Sequence, residues 1–127
     1  VKNREWLVQG IYQMRVNDDS GEKVSDQVKD EHKTKKVDFK MFSMSLRSIN
    51  RNKKKIESIL TSVEIKNSSM ELIDKSILFF AINEMLFGNL DKPVTIDESL
   101  RLSKKFSSPE SYKFINVSLD KFFKTLS

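Results

Sequence analysis

Few side chains in this sequence could perform chemistry, and they lie far apart. The chain has no cysteine, which excludes thiolate metal sites, disulfides and cysteine nucleophiles. It has one histidine, His32, so no histidine cluster can bind a metal. Glu84 shares a helical face with Ile77 and Phe80, where a carboxyl group could act in acid–base chemistry, although such a residue also commonly pairs with a base or reaches water. No second carboxylate or nucleophile has a spacing that would join it. The sequence therefore predicts a protein that is not an enzyme and holds no cofactor or metal.

The last apolar segment carries an aromatic residue on an unexpected face. On a helical wheel of about 100° per residue, one stripe is formed by Ile115, Leu119, Phe122 and Leu126. Phe114 falls about 100° from that stripe, on the flank of Lys121 and next to Lys113. Its ring could stack on an unpaired base while the ammonium groups contact phosphates. It could equally pack beneath a neighbouring helix, and the residues alone leave both interpretations open.

A lysine-rich stretch is the other chemical feature of a chain whose formal net charge is +5. Its basic residues, set against the single acid Asp38, are Lys33, Lys35, Lys36, Lys40, Arg47, Arg51, Lys53, Lys54 and Lys55. Clustered cationic groups attract phosphates and release their counterions, so the stretch favours a polyanionic partner. A solvated, lysine-rich surface would explain the same composition.

The composition indicates the fold that must position these groups. The 127 residues, 38% hydrophobic and 32% charged, suffice for one domain over residues 1–127 that buries about two thirds of its unfolded surface. Three glycines and two prolines are too few for the turns of a sandwich or barrel, so we expect an all-α bundle. The longest apolar run, 77–82, is far shorter than the roughly 20 residues of a membrane-spanning helix. The visible start shows no apolar signal core, so we expect a cytoplasmic protein without a membrane partner.

Apolar periodicity divides the chain into six or seven helices. The predicted helices cover about 3–16, a short and marginal segment within 17–36, 39–50, about 56–63 after a basic entry, 68–88, 95–106 and 109–126. Asp38 can cap the helix that begins at Phe39. The helix over 68–88 has apolar residues on most faces, which is typical of a central core helix.

Capping signals set the expected ends of the last three helices. Residues 68–71 and 95–98 have the S/T-x-x-E spacing of a capping box. Ser108-Pro109 supplies an N-cap and a proline in the first turn. Gly88-Asn89 predicts a left-handed stop, with Pro93 in the following connection.

Several short segments, spread over nearly the whole chain, match one known pattern. Residues 96–106 read IDESLRLSKKF and residues 111–120 read SYKFINVSLD. Earlier pieces at matching separations are Arg4-Glu5, Gln9, Ile11-Tyr12, and Val37-Asp38 with Phe42. In this order and spacing, the segments resemble the NusB family of bacterial transcription antitermination factors.

The resemblance implies an all-α fold of seven helices in two subdomains, without catalysis. It implies binding of the single-stranded boxA element of ribosomal RNA transcripts. The implied protein partner is the ribosomal protein NusE, and the pair joins the RNA polymerase antitermination complex and supports ribosomal RNA synthesis.

The resemblance also implies roles for individual residues in RNA binding. Lys113 and Phe114 match family positions that touch RNA, and Tyr12 matches a first-helix aromatic residue tied to the same function. Glu110 stands where an acidic residue borders the RNA surface. Lys121, on the flank of Phe114, is included in the expected RNA surface.

Asp74 matches an acidic family position that faces the ribosomal protein. It is a charged residue in a helix whose other faces are mostly apolar, so we expect it to mark the exposed strip of that helix. Reversing its charge would then weaken the partner complex without unfolding the protein.

The sequence departs from the family pattern in three places. Only Lys2 and Arg4 remain where the family has an arginine-rich N-terminal segment, and we expect both to contact RNA. Either that segment is missing from this chain or the basic 33–55 region compensates for it. Asp97 replaces the usual asparagine, and Val117 replaces a glycine.

Two other functions stay open from the sequence. One is a protein-only helical scaffold whose lysines are solvated. The other is a NusB-like RNA-binding domain related to ribosomal RNA cytosine methyltransferases, but a chain that ends at Ser127 carries no catalytic domain, which favours a free-standing factor.

Overall fold

The computed structural model describes residues 2–17, 23, 39–63, 71–88 and 90–125. These ranges contain α1 (Lys2–Asn17), α2 (Phe39–Arg51), α3 (Lys53–Val63), α4 (Leu72–Phe87), α5 (Lys92–Phe106) and α6 (Pro109–Thr125). No strand occurs among the described residues, and the predicted all-α class is confirmed. Apart from Asn17, the last residue of α1, and Lys23, the segment 17–36 with its marginal helix lies outside the described residues, as does the Asp38 cap.

The core is built around α4, as its apolar composition predicts. Residues 77–82 are all buried, and α4 contacts each of the other five helices. A helix that packs against neighbours on several sides needs apolar residues on several faces, because those faces lose their contact with water. The amphipathic helices around it contribute one stripe each, from Leu7, Val8, Ile11, Met14, Phe42, Leu46, Ile49, Ile56, Leu60, Leu102, Ile115, Leu119 and Phe122.

The start of α4 differs from the prediction. The helix begins at Leu72 with Glu71 as its N-cap, so the predicted helix start at Ser68 is wrong; Ser68 itself lies outside the described residues. The carboxylate of Asp74 accepts a hydrogen bond of 2.9 Å from the backbone N–H of Glu71. An acidic residue three positions after the cap can satisfy this orphan amide, and the sequence offers such a pair in two overlapping registers.

The end of α4 also corrects a prediction. Gly88 has φ −95° and ψ −174°, which is extended backbone rather than a left-handed stop. A Cβ atom at Gly88 would overlap the Glu84 carboxylate, so a larger residue here would require the flexible Glu84 side chain to move. Glu84 Oε1 also accepts a hydrogen bond of 3.3 Å from the N–H of Leu90, which gives this carboxylate a structural role at the helix end.

The next helix begins earlier than expected. α5 starts at Lys92 with Asp91 as its N-cap and Pro93 in its first turn, so the connection is shorter than predicted. Proline fits the first turn because the N–H that it lacks would have no helical partner there. Thr95 is buried inside the helix, and its hydroxyl donates to the carbonyl of Asp91 at 3.1 Å.

The predicted start of α6 is confirmed. The helix begins at Pro109, and the hydroxyl of Ser108 accepts a hydrogen bond of 3.1 Å from the N–H of Ser111. This side chain satisfies one of the amides that the first turn leaves without a helical partner.

Candidate nucleic-acid interface

One face of α6 carries charged and apolar residues side by side. We call this face the α6 strip, and it consists of Glu110, Lys113, Phe114, Val117 and Lys121. At 3.6 residues per turn these positions lie within an arc of about 100°. The glutamate and both lysines are exposed, and Val117 is 44% exposed. The strip therefore presents two cations and an apolar surface next to the buried stripe.

The ring of Phe114 lies at the edge of the strip and is half-buried. The buried stripe predicted for this helix is observed at Ile115, Leu119 and Phe122; Leu126 lies outside the described residues. Ser118, on the same flank as Phe114, is fully buried. Phe114 is therefore neither a core residue nor a fully exposed one, and part of its ring is accessible.

Tyr12 lies on the outer face of α1 and is 41% exposed. It lines a shallow groove with Gln9, residues 71–73 at the start of α4, and Phe106 at the end of α5. Two aromatic rings from different helices thus border one concave surface. A groove of this kind can accept a flat, partly apolar group such as a nucleobase.

Asp74 is not exposed, and the expectation that it marks an exposed strip is wrong. Its side chain is fully buried. It accepts hydrogen bonds from the N–H of Glu71 and from the hydroxyl of Ser107. A carboxylate can be buried in this way because both donors replace the water that it loses. Asp74 offers no accessible charge to a partner.

The hydrogen bond between Asp74 and Ser107 joins the start of α4 to the connection between α5 and α6. Ser107 follows Phe106, which lines the Tyr12 groove, and precedes α6, which begins at Pro109. Because neighbouring Cα atoms are about 3.8 Å apart, the start of α6 must lie close to this groove. The chain therefore places Glu110, in the first turn of α6, near the Tyr12 groove.

Arg4 belongs to a different cluster, which the sequence analysis did not predict. Its guanidinium forms an ion pair of 2.5 Å with Glu98, and Arg101 bridges Glu98 and Glu5 at 2.5 and 2.9 Å. Lys105 reaches Glu5 at 2.9 Å. These five residues, which we call the α1–α5 ion network, connect the two helices. An RNA contact at Arg4, as the sequence predicts, would compete with its ion pair to Glu98. The side chain of Lys2, the other predicted N-terminal contact, lies outside the described residues.

The network changes the protonation equilibria of its carboxylates. The hydrogen bond from Lys105 is the main cause that lowers the pKa of Glu5, with Arg101 adding to it against the opposing effect of burial. Burial raises the pKa of Glu98, but hydrogen bonds from Arg101 and Arg4 outweigh it and lower the pKa overall. Both groups therefore remain charged below the pH at which a free glutamate is protonated.

The lysine-rich stretch is partly described. Five of its cations, Lys40, Arg47, Arg51, Lys54 and Lys55, are exposed along α2 and α3. The part of the stretch before Phe39 lies outside the described residues. The described part forms a basic surface. This fits both a surface that binds a polyanionic partner and a solvated, lysine-rich surface, so it does not distinguish between them.

No group of three or more histidine, cysteine or acidic side chains in the described residues could hold a metal ion. None of their helices is long and apolar enough to cross a membrane.

The fold and its surfaces define a small all-α protein with a basic, partly aromatic face. The model of the NusB family matches residues 1–124. The transcription antitermination protein NusB of Clostridium perfringens strain 13 is 33% identical over 132 residues, covering 99% of this chain and 97% of its own. The NusB proteins of Alteromonas mediterranea and Tolumonas auensis are 32% and 30% identical, covering 98% of this chain and 91% and 92% of theirs. The chain belongs to the NusB family.

Proposed function

We propose that this protein is an RNA-binding transcription antitermination factor. It binds single-stranded boxA RNA of ribosomal RNA transcripts together with the ribosomal protein NusE, joins the RNA polymerase antitermination complex, and promotes ribosomal RNA synthesis in the cytoplasm. The observation that supports this most is the α6 strip, where two exposed lysines accompany a half-buried aromatic ring. Family membership supplies the class of function.

The chemistry of the strip suits an unpaired strand. A splayed base can stack on the accessible part of the Phe114 ring, and Tyr12 supplies a second aromatic surface at the same end of the molecule. Lys113 and Lys121 lie about two turns apart, roughly 12 Å along the helix, which matches two phosphates separated by one or two nucleotides. Paired bases could not reach the ring, so single-stranded RNA is preferred.

Glu110 limits the path of the RNA. A carboxylate only accepts hydrogen bonds and repels phosphate. It lies in the first turn of α6, where free backbone N–H groups would otherwise attract an anion. The phosphates are therefore directed toward Lys113 and Lys121, while Glu110 can accept from a base amino group.

The partnership with NusE rests on the family resemblance, and its surface is not assigned to Asp74. Because Asp74 holds the turn before α6, a change there would alter RNA binding through the position of the α6 strip. A direct electrostatic contact with the ribosomal protein is not needed for such an effect.

A titration of labelled single-stranded boxA RNA, with and without purified NusE, tests the proposed function. We expect saturable binding that NusE strengthens, and weaker binding of a shuffled RNA of equal length and of the boxA duplex. Equal affinity for boxA and shuffled RNA in the presence of NusE would contradict the proposal. Affinity that does not change with salt would favour a protein-only scaffold.

A further inference from the structure

A second surface lies between α2 and the end of α4, and no residue of α6 lines it. We call it the α2–α4 groove; it has a volume of about 670 Å³. Its floor contains the core side chains Leu7, Phe42 and Phe80. Its walls are formed by α2 from Lys40 to Arg51 and by the last turn of α4.

The walls of the groove expose large apolar side chains. Met44 is 60% exposed, Met41 is 57% exposed and Phe87 is 42% exposed. A concentration of apolar surface in one concavity with a polar rim is typical of an interaction site. Methionine side chains are flexible and polarizable, so they adapt to the apolar side chains of a protein partner.

The rim of the groove is basic. Lys40, Arg47 and Arg51 line it and are exposed, and Lys55 Nζ lies 5.5 Å from the centre of the Phe87 ring. Among the described residues that line the groove, Glu84 is the only acid; it accepts from the N–H of Leu90. The electrostatic potential at the rim is therefore positive and favours a negatively charged occupant.

The apolar walls decide between an RNA and a protein occupant. Bases bind single-stranded sites by stacking on aromatic faces, but two of the exposed apolar residues are methionines, and an ammonium group covers the Phe87 ring. An amphipathic helix fits both the apolar walls and the basic rim of the groove. Its apolar residues, one turn apart, can enter the groove while acidic neighbours contact the rim. The wall from Lys40 to Arg51 is about 16 Å long, enough for about three turns of a partner helix.

We propose that the α2–α4 groove is a docking site for an acidic amphipathic helix of a protein partner. Binding would bury Met44 and Phe87 against apolar residues of that helix and pair its carboxylates with Arg47, Arg51 and Lys40. This site does not depend on the RNA-binding function proposed for the α6 strip.

Methionine methyl groups report directly on this site. The experiment uses the full chain with ¹³C-labelled methionine methyls and a synthetic helical peptide of about 14 residues, with leucines at i, i+4 and i+7 and glutamates at its other faces. We expect the Met44 signal to shift saturably, with a Kd below about 1 mM. The signal of Met14, which is only 5% exposed in the core, should not move and serves as an internal reference.

Two control ligands separate the possible occupants. A peptide in which lysine replaces every glutamate should bind at least about tenfold more weakly, since it meets a basic rim. A polyuridine strand of about 12 nucleotides carries similar negative charge but no apolar helix face. If polyuridine shifts the Met44 signal at lower concentration than the acidic peptide, the groove is an RNA surface and the proposal is wrong.

Variants of exposed residues complete the test. Met44→Glu removes the Met44 signal, so its binding is followed by the methyl signal of Met41, which lines the same groove. It should weaken binding of the acidic peptide by about tenfold or more, because it introduces a like charge into the contact. Lys113→Ala, on the α6 strip, is the matched control and should leave peptide affinity unchanged. The absence of a Met44 shift at peptide concentrations of about 2 mM, or equal peptide affinity of Met44→Glu and the parent chain, would overturn the proposal.

Discussion

The hydroxyl of Ser107 donates a hydrogen bond to the buried carboxylate of Asp74, joining the first turn of α4 to the connection between α5 and α6. The same carboxylate accepts from the backbone N–H of Glu71. One side chain therefore caps the central helix and fixes the segment from which α6 begins. Since the α6 strip depends on this segment, the core helix and the proposed RNA surface are physically connected.

Asp74→Ala should destabilise the fold. The substitution leaves the Glu71 N–H and the Ser107 hydroxyl without their acceptor in a partly buried region, and we expect a loss of about 1–3 kcal/mol. Ser107→Ala removes one donor only and should cost about 1 kcal/mol. Urea unfolding of both variants measures the difference. Asp74→Lys should unfold the domain, since it buries an unpaired charge, and a folded Asp74→Lys protein would contradict the buried position.

The α1–α5 ion network predicts how stability changes with pH. The folded-state pKa values of Glu5 and Glu98 are lowered from their ordinary value of 4.5, so the unfolded chain binds their protons more readily than the folded protein. The stabilisation is fully present above about pH 5.5 and is lost as the pH falls through 4.5 and below. Thermal unfolding between pH 7 and pH 3 measures this loss.

A matched variant shows whether the network causes the pH dependence. Glu98→Gln removes one of the two carboxylate charges; its amide oxygen can still accept from one guanidinium, but its NH₂ group faces the other, so Arg4 and Arg101 no longer share an anionic acceptor. We expect it to cost about 1–2 kcal/mol at pH 7, reduced from the value for a buried pair because Arg101 is 34% exposed. Its stability should then change less between pH 5.5 and 3 than that of the parent chain. An unchanged acid profile would mean that other carboxylates dominate.

The sequence predicted what depends on local pattern and missed what depends on distant contacts. The apolar run of α4 identified the core helix, and Ser108-Pro109 identified the start of α6, because both signals act over one or two turns. Gly88 was predicted as a left-handed stop, whereas its backbone is extended and it lies against the Glu84 side chain. No periodicity could pair Arg4 with Glu98, which lie 94 residues apart.

Among the site residues, too, local pattern predicted one feature, and a contact between distant residues determined another. The off-stripe position of Phe114 followed from helical geometry and corresponds to a half-buried ring. The burial of Asp74 could not be read from the apolar pattern, because a charged residue in an apolar helix is normally placed at the surface. Its hydrogen bond to Ser107 forms only after α4 and α5 have packed together.

Lys113→Ala tests the electrostatic part of the proposed RNA contact. Lys113 is exposed, so its removal should leave thermal stability nearly unchanged. It should weaken binding of different single-stranded sequences to a similar extent, and the slope of log affinity against log salt should become shallower by about 0.7. RNA titrations at several salt concentrations measure the slope. Lys54→Ala, on the basic surface of α3, is a control that should not change the slope if this surface is outside the RNA path.

Phe114→Ala tests whether the half-buried ring stacks on a base. Loss of one base–aromatic stack should weaken RNA binding by about 1–3 kcal/mol, or roughly 5- to 150-fold. Because the ring is half-buried, truncation should also cost about 1–2 kcal/mol of stability, less than the 3–5 kcal/mol typical of a core phenylalanine. Phe114→Tyr keeps an aromatic face at this position and should retain most of the affinity, whereas Phe114→Leu keeps apolar bulk without it. If the leucine variant binds RNA as tightly as the tyrosine variant, Phe114 supports the packing of α6 and does not stack on RNA.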